Sequence, residues 1–245
     1  MGKIFVLVPI YNESDAGIVN VREVIAQIGA YNYEIIVVDD GSCDGTESLL
    51  NQLSFTDFVT VIRHQQNLGL GEVFQSFFKY IYGTLRNEDI VIVIEGDRTC
   101  DVGLLNKMIE IIQSGVDVVI ASRKCLGGQD IGGSIFRRSL TSLSNIILKA
   151  ALQLWNIHDV TIFYRAYSGS ILNKAYKIFG ESLFWGKGFV MNTNLLYRLK
   201  CINAHICEIP HLYRRSRKVS KSKLRLWSTI GEYITYIIKI NLEKS

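Results

Sequence analysis

Hydrophobic positions fall into two alternating rhythms in the first half of the chain. Residues 4–10 (IFVLVPI) form a nearly continuous apolar run that ends at Pro9 and Asn12. Short runs of this kind suit strands buried on both faces of a parallel sheet. Similar runs recur at 34–38, 59–62, 90–94 and 116–121. Between them the apolar positions take a helical period, as in Ile18, Val21, Val24, Ile25 and Ile28, and again in Leu104, Leu105, Met108, Ile109 and Ile112. Strands alternating with helices predict βαβ units and a doubly wound α/β sheet. Right-handed crossovers then gather the loops at the carboxyl ends of the strands around one crevice.

The Gly-rich stretch 127–133 interrupts this rhythm. Beyond it, residues 139–154 predict a helix with Leu140, Leu143, Ile147, Ala151 and Leu154 on one stripe. A strand is expected at 160–167, helices at 169–179 and 190–199, a strand at 205–210, and a final helix at 224–242. That last segment carries Leu226, Ile230, Tyr233, Ile234, Ile237 and Ile238 on a helical face. Such a stripe is usually core. Following a basic loop, it also suits a membrane interface.

Length and composition narrow the class. With 245 residues, one α/β domain with a C-terminal elaboration fits as well as two small domains, and the lack of a clean linker or repeat favours one. Hydrophobic residues make up 48% and charged residues 20%, which excludes a disordered tail. No apolar stretch approaches the ~18 residues of a spanning helix, and the N-terminus reads as a strand without a signal-peptide cleavage site. The five cysteines are scattered and lack metal or disulfide spacing, so a reducing, cytoplasmic setting is expected. The net charge of +4 is mild, but residues 214–225 hold seven Lys/Arg and no acid. A basic block on a weakly charged chain suggests a local anionic partner or a solvated basic face. Nucleic acid is disfavoured, because the block lacks interleaved stacking aromatics and no recognition module precedes it.

Candidate chemistry sits at the expected strand ends. Pro9-Ile10-Tyr11-Asn12-Glu13 follows the first strand, Asp39-Asp40-Gly41-Ser42 the second, Glu95-Gly96-Asp97 the fourth, and Ser122-Arg123 the fifth. One acid pair at a strand end is more often a cap or a solvated loop. Acids at three tips of one crevice need a cation or hydrogen-bond donors to be tolerable. Extended backbone would point Glu95 and Asp97 the same way, and Gly96 would let a ligand approach. Such oxygen ligands suit Mg²⁺ or Mn²⁺ held by carboxylates plus substrate phosphates.

The ordered motifs VPIYNES, VVDDGSCDGT, NLGLG, EGD and ASR resemble those of glycosyltransferase family 2 enzymes with a GT-A fold. Gly127-Gly128, Arg138 with Ser142, the run from Asp159 to Arg165, and RKVSKSK at 217–223 are similar to dolichyl- and polyprenyl-phosphate sugar transferases. The resemblance spans residues 3 to about 224. It implies a Rossmann-like GT-A fold over 1–225, a mostly parallel sheet flanked by helices, with 226–245 as a C-terminal helix that is part of this domain or membrane-facing. Pro9, Tyr11, Glu13 and Asp40, with Asn12 in the same tip, would hold the base and ribose of a nucleotide-sugar, GDP- or UDP-linked. Asp39 would support that pocket. Glu95 and Asp97 stand at the family's metal motif. Arg123, Arg138 and Ser142 match acceptor-phosphate positions. Arg217, Ser222 and Lys223 match a basic loop that closes over the diphosphate. Three departures are Glu95 for the usual Asp, Thr99 for a common Gln, and Ser220 for a common Gly.

The implied reaction is an inverting transfer of a hexose, of mannose or glucose type, to a polyprenyl or dolichyl phosphate. A phosphate acceptor is already anionic and needs no general base, and Arg123, Arg138 and Arg165 suit such an acceptor. Two alternatives stay open: a family 2 transferase with a saccharide or other hydroxyl acceptor, and a non-catalytic nucleotide-sugar-binding protein. A lipid acceptor would place the chain at the cytoplasmic face of a membrane, through its own surface or a membrane partner.

Overall fold

The computed structural model describes every residue except 1, 54–55, 133, 187, 219–225 and 244–245. Its first half alternates β1 (Ile4–Ile10), α1 (Ser14–Ile28), β2 (Tyr33–Asp39), α2 (Thr46–Leu53), β3 (Val59–Arg63), α3 (Leu70–Tyr82), β4 (Ile90–Val93), α4 (Leu105–Gln113) and β5 (Val118–Ser122). The second half holds β6 (Gln129–Ile131), α5 (Ile135–Leu152), β7 (Arg165–Ser168), α6 (Gly169–Phe179), α7 (Gly188–Cys201), β8 (Ile206–Pro210), β9 (Leu212–Arg214) and α8 (Leu226–Glu243).

Seven strands form one sheet in the order β3-β2-β1-β4-β7-β5-β8. All neighbours are parallel except β7, which runs antiparallel to β4 on one side and β5 on the other. β1, β4 and β5 are almost wholly apolar because helices cover both faces; Val6, Leu7, Val8, Ile92, Val118, Val119 and Ile120 lie among the fully buried residues. A second, two-stranded parallel sheet pairs β6 with β9 beside the crevice.

The strand expected at 160–167 begins only at Arg165. The cause is Asp159. Its Oδ1 accepts the backbone N–H groups of Thr161 and Ile162, each at 3.2 Å, which turns those donors away from any neighbouring strand. Asn145 of α5 holds the same loop, donating to the His158 carbonyl at 2.6 Å and accepting the Val160 N–H at 2.9 Å.

Two helices differ from expectation in which stripe they bury. α5 starts at Ile135 and buries Asn145, Leu148 and Leu152, while Leu143, Ile146 and Ile147 are exposed. α8 docks on α7 through Tyr236 and Ile240, with the Tyr236 hydroxyl 3.2 Å from Asn194 and its ring stacked on Trp185. Ile234, Ile238 and Leu242, one ridge of α8, remain exposed. Among the described residues no helix is long and apolar enough to cross a membrane.

Candidate active site

The tips of β1 and β2 are laced together. The Asn12 N–H donates to Ser42 Oγ and the Cys43 N–H donates to Asn12 Oδ1, both at 2.8 Å. The Ser14 N–H reaches Thr46 Oγ1 at 2.9 Å. Asn12 and Ser14 take left-handed backbone at φ 49° and 42°, strain that this lacing holds in place. Gly41, at φ 73°, has no alternative residue, since a Cβ there would fall 2.4 Å from the Gln66 carbonyl carbon.

The two aspartates of this tip have different work. Asp40 accepts the N–H groups of Leu68 and Gly69 at 2.9 and 2.8 Å and the Asn67 side-chain amide at 2.9 Å. His64 Nδ1 lies 2.8 Å from Asp40 Oδ1, the oxygen that the Leu68 N–H also reaches, and the ring's Nε2 meets Ser76. Asp40 therefore organises the 67–69 loop. Asp39 uses Oδ1 for the Ser42 N–H at 3.0 Å, while its buried Oδ2 has no hydrogen bond and sees Arg63 Nε only at 3.7 Å. Of the pair, Asp39 has the oxygen without a hydrogen bond, whereas the resemblance implies Asp40 at the base and ribose and Asp39 as its support. Tyr11 and Pro9 flank this tip, and Glu13 is buried beside it.

Glu95 and Asp97 are brought together by Thr99 rather than by extended backbone. β4 has already ended, and Arg98 turns the chain at φ 65°. The Thr99 hydroxyl then lies 3.0 Å from Glu95 Oε2 and 2.5 Å from Asp97 Oδ1, and the Thr99 N–H donates to Asp97 Oδ1 at 3.1 Å. Gly96 answers to packing: a Cβ would sit 2.6 Å from the Pro9 carbonyl oxygen. Burial, followed by the charge of Asp97, raises the pKa of Glu95, while the Tyr213 hydroxyl donates to Glu95 Oε2 at 2.9 Å. The Lys218 ammonium donates to Asp97 Oδ2 at 2.5 Å and stands 3.8 Å from Glu13 Oε1. Burial would lower the pKa of Lys218, but Asp97 more than offsets it and keeps the ammonium charged.

Asp97 thus presents an oxygen that already holds a cation, and Glu95 is its neighbour. Two carboxylates backed by donor phosphates fit Mg²⁺ or Mn²⁺. Among the described residues no group of three or more His, Cys, Asp or Glu could hold a metal ion. Phosphate oxygens would have to complete the shell.

The three arginines expected to meet an anion separate on inspection. Arg123 is buried and bidentate on Asp159, Nε to Oδ2 at 2.7 Å and Nη2 to Oδ1 at 2.9 Å, with the Tyr213 ring 5.3 Å from its guanidinium carbon. The pair holds the Asp159 carboxyl far below the usual carboxylate range despite its burial. Arg165 is fully buried and gives its two terminal nitrogens to the carbonyls of Asn192 and Val160, each at 2.8 Å. It anchors the 160–165 loop to α7. Arg138 is half-buried at the start of α5, and Ser142 Oγ donates to its carbonyl at 2.9 Å.

The basic block is stitched to the site from its first residues. Arg214 N–H donates to the Thr99 carbonyl at 3.0 Å, and Arg215 is bidentate on Asp130 at 2.6 and 2.8 Å. Arg217 is exposed. Ser220, Ser222 and Lys223 lie outside the described residues. Tyr213 lies outside the motifs, and the motifs that hold Asp159 and Lys218 do not show their partners Arg123 and Asp97, which are far along the chain. Thr99 stood out only as a departure from a common Gln, and its partners lie two and four residues away.

A family model for glycosyl transferase family 2 matches residues 5–175. The chain belongs to this family. The polyprenol monophosphomannose synthase of Mycolicibacterium smegmatis is 27% identical over 223 residues, covering 89% of this chain and 80% of that protein. The dolichol-phosphate mannosyltransferase of Pyrococcus furiosus is 29% identical over 250 residues, and the match takes in 97% of this chain but only 63% of the relative. Among solved structures, glucosyl-3-phosphoglycerate synthase from Mycobacterium tuberculosis, in complex with Mn²⁺, UDP and phosphoglyceric acid, superposes with a TM-score of 0.65. That superposition is 18% identical and covers 99% of this chain and 78% of the other. The glycosyltransferase therefore has a GT-A fold, with β7 as the antiparallel member of an otherwise parallel sheet.

Proposed function

We propose that this family 2 enzyme transfers a hexose, of mannose or glucose type, from a nucleotide-diphosphate sugar to a polyprenyl phosphate, with inversion. The observation that carries the reading is the condition of the groups that could serve as a base. Asp97, Asp130 and Asp159 each hold a cation, Asp40 is filled by its loop, Glu95 accepts from Thr99 and Tyr213, and Asp39 with its unbonded oxygen is buried at the β2 tip assigned to the nucleoside. His64 is fixed between Asp40 and Ser76, and His211 is sealed from solvent. A hydroxyl acceptor needs a base within reach, whereas a phosphate oxygen is already a nucleophile at neutral pH. The names of the relatives point to the same acceptor class.

Asp39, Tyr11, Asn12 and Pro9 would seat the nucleoside. Glu95 and Asp97 would hold Mg²⁺ or Mn²⁺, which supplies Lewis-acid stabilisation of the leaving diphosphate. Arg217 would add positive charge there as the sugar–phosphate bond breaks. Arg138 and Ser142 would take the acceptor phosphate, beside the exposed Leu143, Ile146 and Ile147 of α5. This apolar surface suits a prenyl chain at a membrane face.

The test is transfer from GDP-mannose and UDP-glucose with Mn²⁺, with and without polyprenyl phosphate. Turnover that requires the lipid is the expected result. Turnover onto a saccharide would favour a hydroxyl acceptor, and binding without turnover would make the chain a non-catalytic sugar-nucleotide binder.

A further inference from the structure

The two acids at the β4 tip are held unequally. Asp97 has the Lys218 ammonium on Oδ2 and the Thr99 N–H on Oδ1. The Thr99 hydroxyl has a single proton to give. It lies nearer Asp97, at 2.5 Å, than Glu95, at 3.0 Å. The donor that Glu95 has to itself is the Tyr213 hydroxyl, 2.9 Å from Oε2. Both hydroxyls meet the same oxygen, and among the described residues no hydrogen bond reaches Oε1.

The Tyr213 hydroxyl is brought there by main chain. β9 pairs with β6, Tyr213 opposite Asp130, and Asp130 takes the Arg215 guanidinium at 2.6 and 2.8 Å. The Arg214 N–H donates to the Thr99 carbonyl at 3.0 Å, which ties β9 to the acid turn itself. The Tyr213 ring is buried, with the guanidinium carbons of Arg123 and Arg215 at 5.3 and 5.4 Å from its centroid. Two cations against the ring and a paired strand behind it leave the hydroxyl little freedom. A side chain fixed in this way, with its proton on one carboxylate oxygen, sets where the other oxygen stands.

We propose that Tyr213 is a positioning residue for Glu95: its hydroxyl holds Oε2 so that Oε1 is presented to the divalent ion, and it is matched to a glutamate at this place. The inference rests on Glu95 and Asp97 holding the metal, as proposed above. A glutamate has one more torsion than an aspartate, and a free carboxylate loses that freedom when it ligates. The hydroxyl removes the freedom beforehand, as outer groups that orient metal ligands do. An aspartate would end about 1.5 Å short, the length of one C–C bond. A hydroxyl that meets the glutamate at 2.9 Å would then be out of hydrogen-bond reach.

The experiment is a double-mutant cycle on Mn²⁺ binding to the full chain, read by electron paramagnetic resonance. GDP or UDP, whichever binds the more tightly, is present at saturation. Wild type, Y213F, E95D and E95D/Y213F are compared, with E95Q as the control for the metal. Y213F keeps the ring and its cation contacts and loses only the hydroxyl. It should weaken Mn²⁺ binding about tenfold in the wild-type background and less than about twofold in the E95D background. Nucleotide affinity in EDTA and the melting temperature should match wild type. Equal Mn²⁺ affinity in Y213F and wild type, with E95Q weakened, overturns the proposal and leaves the metal assignment standing. An equal loss in both backgrounds also overturns it, because the hydroxyl would then act on the fold and not on Glu95. So does a loss of metal-free nucleotide affinity as large as the loss of Mn²⁺ affinity. E95Q binding Mn²⁺ as tightly as wild type removes the metal from Glu95, and the proposal with it.

Discussion

Asp159, Thr99 and Lys218 show how single side chains set the charge pattern of the crevice. Asp159 holds Arg123 and Lys218 holds Asp97 across long stretches of chain, while Thr99 ties together the two members of the acid pair beside it. Lys218 and a divalent ion would compete for Asp97 Oδ2, because two cations on one carboxylate oxygen repel. In the absence of nucleotide, K218M should therefore bind Mn²⁺ about fivefold more tightly than wild type, read by electron paramagnetic resonance of free Mn²⁺; unchanged affinity would remove Lys218 from the metal's surroundings. His211 provides a separate prediction. It lies at 0% exposure against the rings of Tyr164 and Tyr213, with neither ring nitrogen hydrogen-bonded. Burial, then the positive charge of Arg123, holds its pKa at about 4 against an ordinary 6.5. Between those values the unfolded chain takes up a proton that the folded chain refuses. The stability from this group is thus whole above about pH 6.5 and is lost as the pH falls towards 4. From pH 7 to pH 5 wild type should lose about 2 kcal/mol more than H211F, measured from urea midpoints; parallel losses would show that His211 does not titrate as its burial requires.

Among the elements, α5 and α8 each bury one stripe and leave another apolar ridge in solvent. Periodicity alone marked both helices but could not say which stripe would be covered, because apolar residues lie on more than one side of each. In α8 the choice fell to Tyr236 and Ile240, where a hydroxyl finds Asn194 and a ring finds Trp185. Ile234, Ile238 and Leu242 are then free to meet a bilayer surface. The triple variant I234S/I238S/L242S should keep its melting temperature within a few degrees while its partition onto vesicles containing anionic lipid falls about tenfold. Sedimentation with the vesicles reads this, and undiminished partition would exclude this face of α8 as the contact. β7 was misplaced for a related reason. The run from Val160 to Tyr167 is apolar enough for a strand, but the Asp159 carboxylate captures its first N–H groups.

At the level of the whole molecule, the parallel core and its carboxyl-end crevice were legible because both-face burial writes continuous apolar runs into β1, β4 and β5. The acid tips were legible too, since clustered carboxylates have few other uses. The pairing of those acids was not. Arg123 with Asp159 and Lys218 with Asp97 depend on strand order, which no local pattern records. If Glu95 and Asp97 hold the metal, GDP or UDP should raise the melting temperature by several degrees with Mn²⁺ and by much less after EDTA, in a thermal-shift assay. A shift that survives EDTA would assign nucleotide binding to the first two tips alone.

The antiparallel β7 has one further consequence. It lies between β4, whose tip bears Glu95 and Asp97, and β5, whose tip leads to Arg123 and Lys124. Two backbone ladders therefore separate the two tips, a gap of about 9–10 Å at the usual strand spacing. β7 works as a calliper. Its jaws are set by peptide hydrogen bonds, so the distance between the ends of the two flanking strands is a fixed dimension of the sheet. If the proposed transfer takes place across it, selection among acceptors has to come from side chains on the jaws, since the opening itself cannot be adjusted without breaking the sheet.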